Sequence, residues 1–448
     1  MSLDILTAHI IGDIAIVIAA SWILGGLARR CGQPTVVGQI LAGILLGPSL
    51  LGRLPGHLTS RLFTAQVIPY ISVIAQLAVV IFMFTVGYEI DFRRLRGRGS
   101  AAPLIAASAL LVPLALGSGL AATAGHAFTA LGEPSADRRS FILFMGVAIS
   151  ITALPVLAAI VRERGIAGSL VGTIATAAAA IMDITAWLLL AAALVGTRAA
   201  AGRPWVVTLL ELAGFVVVML VIVRPALRWW IRRPKALLSN QVPLALLLAV
   251  ACAWVTASLG IHPVFGGFLA GLVMPSRDDT FDADVLRAME HAGGMLLPLF
   301  FVVTGLTMNI GALDGSDIML LAVIVAFAML GKTVPAYWAA RLSRLDRRQS
   351  MMIAALVNTR GLTELIALNV GLSAGIISQR LFTILVLMAL ITTAATTPLI
   401  DLICRLNAEA SLAQAPGLLR EKENSGGPLA QEAVAQEGGA QARVNDPA

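Results

Sequence analysis

Residues 168–195 read GSLVGTIATAAAAIMDITAWLLLAAALV, a stretch with a single charge, Asp183, near its middle. The run is long enough to cross a bilayer, which takes about 20 apolar residues in a helix. An ionised side chain at that depth costs roughly 2.5–3.5 kcal/mol on insertion scales, so such residues are rare and mark ion pathways or proton relays. Asp183 thus sets two expectations at once, a membrane-spanning helix and a titratable site inside it. Two other apolar stretches carry groups of the matching kind, Lys332 in one and Arg360 with Glu364 in the other. A membrane protein with a few buried titratable groups and no enzyme motif reads as a transporter.

Composition supports the membrane reading throughout. Of 448 residues, 58% are hydrophobic and 13% charged, and mean hydropathy is +0.88, a balance that excludes a soluble globule. The pattern predicts an all-α polytopic protein with about thirteen spans: 6–28, 34–51, 67–90, 101–126, 140–161, 167–196, 206–229, 240–259, 261–274, 291–311, 317–340, 350–371 and 380–404. Segment 261–274 is short and broken by Pro263, so twelve is the alternative count. Asp4 and Asp13 stand where a cleavable signal peptide needs positive charge, and none is expected. Residues 1–406 form the membrane domain; the polar remainder, 407–448, rich in Ala, Glu, Gln and Gly, is expected to be a disordered cytoplasmic tail. Cys31, Cys252 and Cys404 share no spacing, and the histidines form no ligand pair, so no disulfide framework, resident metal or cofactor is expected. Nor is there a nucleophile elbow or a phosphate-binding glycine loop, which argues against an enzyme.

The net charge of +7 does not point to nucleic acid, because the arginines are sorted by side. With thirteen spans, Arg29–Arg30, Arg93–Arg98, Arg162–Arg164, Arg224–Lys235, Arg277–Arg287 and Arg341–Arg348 fall on one face, which the positive-inside rule makes cytoplasmic. The N-terminus is then outside, the C-terminus inside, and the expected location is the cytoplasmic membrane. In that topology the triplets 101–126, 140–161, 167–196 and 317–340, 350–371, 380–404 run in opposite directions, as inverted repeats require. Each middle segment carries a breaker halfway along. These are SITALP at Ser150–Pro155 and NTRGLT at Asn358–Thr363. Interrupted segments at matching places in two halves point to a transporter's binding site.

At these residues the chain resembles the sodium/proton exchangers, specifically the second branch of the monovalent cation:proton antiporters. The likeness runs through QPTVVGQILAGILLGPS (33–49), VGYEID (86–91), SITALPV (150–156), DITAW (183–187), FGGFLAG (265–271), PLFF (298–301), Gly305–Leu306, Gly331–Lys332 and NTRGLTEL (358–365). The resemblance implies an elevator fold. A core domain with two crossing broken helices moves against a fixed dimerisation domain, and the protein is a homodimer. It also implies that Asp183 carries a cation and a proton in turn, that Lys332 is its basic partner, and that Thr152 lines the crossing. Two positions depart from the family. Met182 stands where Asp or Asn is usual, and Gln39 where Glu is frequent, so the resemblance fixes neither stoichiometry nor cation.

The expected chemistry is competition between H⁺ and Na⁺ or K⁺ for the Asp183 oxygens. The hydroxyls of Thr152 and Ser150 and the carbonyls freed by the break are expected co-ligands. Lys332 is expected to pair with Asp183 and release on cation binding; the alternative is a structural lysine. Pro155, Met182, Asn358, Arg360 and Glu364 are placed around this site, with Arg360 and Glu364, spaced i,i+4, read as a structural pair. Asp13 and Glu211 lie in apolar spans without an evident partner, and Trp187 reads as packing. Competing readings are a channel-like potassium efflux pathway on the same fold and a proton-driven organic-ion or drug exporter.

Overall fold

The computed structural model describes residues 3–53, 59, 62–64, 66–89, 101–123, 137–166, 168–200, 205–231, 241–275 and 283–413. In chain order the helices are α1 (Leu3–Arg30), α2 (Thr35–Leu46), α3 (Ile68–Tyr88), α4 (Ala101–Thr123), α5 (Arg138–Ser150), α6 (Leu154–Glu163), α7 (Leu170–Ala200), α8 (Trp205–Val218), α9 (Arg224–Ile231), α10 (Val242–Ser258), α11 (Pro263–Val273), α12 (Ala283–Leu306), α13 (Gly315–Leu342), α14 (Arg347–Val357), α15 (Leu362–Ser373) and α16 (Gln379–Ala413). A π-helical turn at Met219–Val223 joins α8 to α9.

Every expected span contains helix, and among the described residues eleven helical segments are long and apolar enough to cross a membrane. The expected count of thirteen crossings is not reached on length. α10 has 17 residues and α11 only 11, and 11 residues rise about 16 Å, roughly half the hydrocarbon thickness. Pro263, read from sequence as a breaker, starts α11 instead, where a missing N–H costs nothing. α16 continues to Ala413, past the expected boundary at 406; the tail from 414 lies outside the described residues.

Local chemistry sets several helix starts. Asp137 accepts from the Ser140 N–H, and Asp314 with Asp317, like Asp346 with Gln349, forms a reciprocal capping box. At the start of α13 the box extends to a clasp on α16. Arg380 Nε donates to the buried Asp317 Oδ2 at 2.7 Å, and the same guanidinium pairs with Asp314. The Ser316 hydroxyl, then Arg380, hold the Asp314 carboxyl down to about 2. A depressed carboxylate stabilises the fold above its ordinary range and loses that contribution as pH falls through the native value. The Asp314 clasp is therefore expected to be intact from neutral pH to about pH 4 and lost towards pH 2. Arg380→Gln should lower stability modestly, read as a reduced thermal-unfolding temperature of the detergent-solubilised protein at neutral pH.

Within residues 1–397 the helices fall into two packing groups. α4, α5, α6, α7, α13, α14 and α15 pack on one another, and α1, α2, α3, α10, α11 and α12 form the second set. Close approach is built from small residues. A Cβ on Gly371 of α15 would lie 2.1 Å from the Phe144 ring of α5, so only glycine admits that aromatic at the crossing. The remainder, from Pro398 onward, is a separate unit containing the C-terminal part of α16.

Candidate functional site

Both expected breakers are real. Helix stops at Ser150 and resumes at Leu154, and stops at Val357 and resumes at Leu362. Pro155 sits in the first turn of α6, so it initiates the second half as well as interrupting the span. Gly361, at φ 154°, supplies the backbone conformation that turns the chain into α15, and a Cβ there would meet Val156 at 2.7 Å.

The two breaks meet. The Ala153 N–H donates to the Thr359 carbonyl at 3.1 Å. The Thr152 hydroxyl donates to the Val357 carbonyl at 3.2 Å, and the Thr363 hydroxyl to the Thr152 carbonyl at 3.4 Å. Backbone groups freed by one interruption are thus satisfied by the other, as a buried backbone requires.

The C-terminal end of α5 is held differently, by the buried side chains of Lys332 and Arg360. Lys332 of α13 donates from Nζ to the carbonyls of Ser150 at 2.5 Å and Ile151 at 2.7 Å. Arg360, in the second break, donates to the Ala148 carbonyl at 3.0 Å, to the Ile149 carbonyl and to Glu364 Oε1 at 2.8 Å. Four successive carbonyls at the end of α5 thereby accept from buried side-chain donors. Lys332, Arg360 and Glu364 are all fully buried.

Asp183 lies on α7, which packs against both halves of both broken spans. It is 2% exposed, and neither carboxylate oxygen has a hydrogen-bond partner. Asn358, at the second break, is also fully buried with neither amide atom partnered. Next to Asp183, the Met182 sulfur lies 3.7 Å from the Thr152 hydroxyl. Hard monovalent cations take oxygen ligands. The open oxygens of Asp183 and Asn358 and the lone pairs of Thr152 are donors of that kind.

Three expectations need adjustment. No Lys332–Asp183 contact falls within salt-bridge distance; Lys332 Nζ donates instead to the Ser150 and Ile151 carbonyls. The Ser150 hydroxyl turns back to the Val147 carbonyl at 3.0 Å, the usual i−3 bond of a helical serine. What Ser150 brings to the crossing is its carbonyl. The freed carbonyls of α5, expected as cation ligands, accept hydrogen bonds from Lys332 and Arg360. Arg360 and Glu364 do pair as read, but sequence reasoning missed that Arg360 reaches across the crossing. The available signal was an arginine inside a helix break whose only nearby acid, at i+4, leaves most of its donors unassigned. Trp187 packs edge-on against Phe265 of α11, and Asp13 is buried on α1, in the other packing group.

Lys332→Gln keeps two N–H donors for the Ser150 and Ile151 carbonyls, whereas Lys332→Leu orphans both. The leucine variant is expected to lose about 2–4 kcal/mol and the glutamine variant at most half of that, measured by thermal unfolding in detergent.

Two crossing broken helices, with Lys332 and Arg360 buried at the end of α5 and an unpartnered carboxylate on α7, define a polytopic membrane protein with interrupted helices, the architecture in which transporters place their binding sites. The profile of the sodium/hydrogen exchanger transmembrane family matches residues 15–404, and the chain belongs to that family. It is 34% identical to the Na(+)/H(+) antiporter NhaS4 of Synechocystis sp., over 87% of this chain and 96% of that one. It is 36% identical to Cation/H(+) antiporter 20 of Arabidopsis thaliana, over 86% and 47%. To the K(+)/H(+) antiporter 1 of Saccharomyces cerevisiae it is 33% identical, over 83% and 43%. The chain spans about half the length of the Arabidopsis relatives it matches. Its fold is similar to that of the sodium proton antiporter MjNhaP1 from Methanocaldococcus jannaschii, with TM-score 0.60 at 14% identity, covering 89% of this chain and 98% of that one.

Proposed function

We propose that this chain exchanges a monovalent cation, Na⁺ or K⁺, for protons across the cytoplasmic membrane, with Asp183 taking cation and proton in turn. The observation that carries this reading is a carboxylate 2% exposed, with both oxygens unpartnered, on the helix that passes the crossing of two broken spans. An unpaired charge in such a place is strongly disfavoured. Binding either H⁺ or a metal cation neutralises it, and because both use the same oxygens they exclude each other. The bare carboxylate does not cross the apolar barrier, so movement in one direction with a cation is coupled to return with a proton.

Alternating access follows the elevator type. The division into two packing groups supports it: the group holding Asp183 and both broken helices moves as a body against the other. Lys332 and Arg360 travel with the site as fixed caps. The apolar faces of α1 and α8, where Trp22 is 76% and Leu210 66% exposed, suit lipid contact, and the arginine asymmetry supports an outside N-terminus.

The test is proton flux in everted vesicles from a bacterium lacking its own antiporters, with a pH-sensitive dye following a preformed gradient. Na⁺, K⁺ or Li⁺ should dissipate the gradient with the wild type and not with Asp183→Ala. Equal dissipation by the mutant would overturn the assignment. No response to any cation, with the protein confirmed in the membrane, would favour a channel-like or organic-ion pathway.

A further inference from the structure

The helices pack within their two groups rather than between them, so single side-chain contacts across the boundary stand out. Asn369 of α15 donates from Nδ2 to the Thr304 hydroxyl of α12 at 3.1 Å. α15 belongs to the group that holds the crossing, α12 to the other. Each partner is set for this bond by its own helix. The Asn369 amide also donates to the Leu365 carbonyl, one turn back, at 2.9 Å. The Thr304 hydroxyl spends its proton on the Phe300 carbonyl at 2.8 Å, which leaves its lone pairs for the amide. Thr304 is fully buried, so water does not compete for them. The second contact across the boundary is aromatic. Trp187 of α7, 4% exposed and one turn from Asp183, meets Phe265 of α11 edge-on with ring centroids 5.7 Å apart.

Both contacts fall on one side of the site. Asn369 and Thr304 sit near the C-terminal ends of α15 and α12, which close at Ser373 and Leu306, and Trp187 is C-terminal to Asp183 on α7. With the N-terminus outside, these three helices all run outward, so the contacts stand between Asp183 and the face opposite the arginine clusters. A hydrogen bond is lost when its ends separate by about 1 Å, so sliding of one group past the other breaks this one. We propose that the Asn369–Thr304 hydrogen bond is a latch that keeps the outer path to Asp183 closed, with the Trp187–Phe265 contact as the apolar plug beneath it. The resting protein then opens its site towards the arginine-rich side. This rests on the exchange reading and its elevator movement, and goes beyond both by naming the contact that sets the resting state. Breaking the latch raises the outward-open population, and apparent affinity at a face follows the fraction of protein open to it.

The experiment titrates Na⁺ and K⁺ against proton flux in right-side-out and everted vesicles carrying wild type, Asn369→Leu or Thr304→Val. In both variants the half-maximal concentration at the outer face should fall by about three- to tenfold, with that at the inner face unchanged or raised. The ratio of the two is the readout, because a merely structural loss lowers the amount of working protein and leaves the ratio where it was. An unmoved ratio in a folded variant would overturn the proposal. Should neither variant fold, Asn369→Cys with Thr304→Cys decides, in a chain whose Cys31, Cys252 and Cys404 are replaced by serine. Cross-linking verified by peptide mass should stop flux and reductant should restore it; full flux in the cross-linked protein would overturn the latch. Absence of exchange with every cation counts against the exchange reading itself. Labelling of the single variant Asn369→Cys by an impermeant maleimide added outside then still reports whether the outer path opens: labelling supports the latch, and none overturns it.

Discussion

Asp183→Asn and Asp183→Ala are expected to reduce cation-dependent proton flux to background while leaving the protein at least as stable as the wild type. The two halves of this result have one cause. Asp183 makes no hydrogen bond through either oxygen and is 2% exposed, so it contributes nothing to the fold that its removal would forfeit. A buried polar group without a partner costs about 1–3 kcal/mol, more when charged. Replacement by alanine should therefore raise the unfolding temperature, as trading a strained functional group for stability commonly does. The proposed exchange needs the charge, because an amide cannot hold a proton and a metal cation in alternation. Asp183→Glu keeps the chemistry but displaces the carboxylate by a methylene in a packed site, so reduced but measurable flux is expected. Flux assays in vesicles and thermal unfolding in detergent check both halves. A destabilised alanine variant would show that Asp183 has a structural partner in the working protein.

The opposite profile is expected for Arg360. Arg360→Met should destabilise the protein by about 3–5 kcal/mol, the range for removing one partner of a buried, hydrogen-bonded ion pair. The guanidinium is fully buried and serves Glu364, the Ala148 carbonyl and the Ile149 carbonyl together. Its loss leaves a buried carboxylate and two helix-end carbonyls unpaired. Arg360→Lys should fall between, since one ammonium lacks the planar fork that spans these acceptors. Arg360→Met combined with Glu364→Met removes the orphaned charge and should recover about half of the loss, the uncapped end of α5 accounting for the rest. Fluorescence-detected gel filtration after a temperature series reads these differences. An unfolding temperature for Arg360→Met equal to wild type would exclude the capping role.

Much of this arrangement is legible along the chain. Apolar runs of span length are a local property, and each expected span contains helix. The breaks at Ser150–Pro155 and Asn358–Thr363 were readable because proline, glycine and hydroxyl or amide side chains act on their own backbone. The i,i+4 pairing of Arg360 with Glu364 follows from helical geometry alone. The expected Lys332–Asp183 pair shows the boundary of that reading. Opposite charges in two apolar spans suggest a salt bridge, yet Lys332 is claimed by carbonyls 182 and 181 residues away in sequence. Backbone acceptors carry no signature in a sequence, so their competition for an ammonium goes unseen. The same blindness hid the reach of Arg360 to Ala148, 212 residues distant.

Residue order alone makes the chain a bundle of membrane helices, interrupts two of its spans, and sets Asp183 as the one charge in the run 168–195. Hydrophobic length, helix breaking and the cost of a charge in hydrocarbon all act within a single segment. Which groups satisfy one another where the interrupted spans meet is set by packing between distant segments. Thr152 and Thr359 join the breaks, Lys332 and Arg360 close the end of α5, and Asp183 is left without a hydrogen bond. That allocation depends on distance and direction between segments far apart in the chain, where buried donors and acceptors must pair in the absence of water.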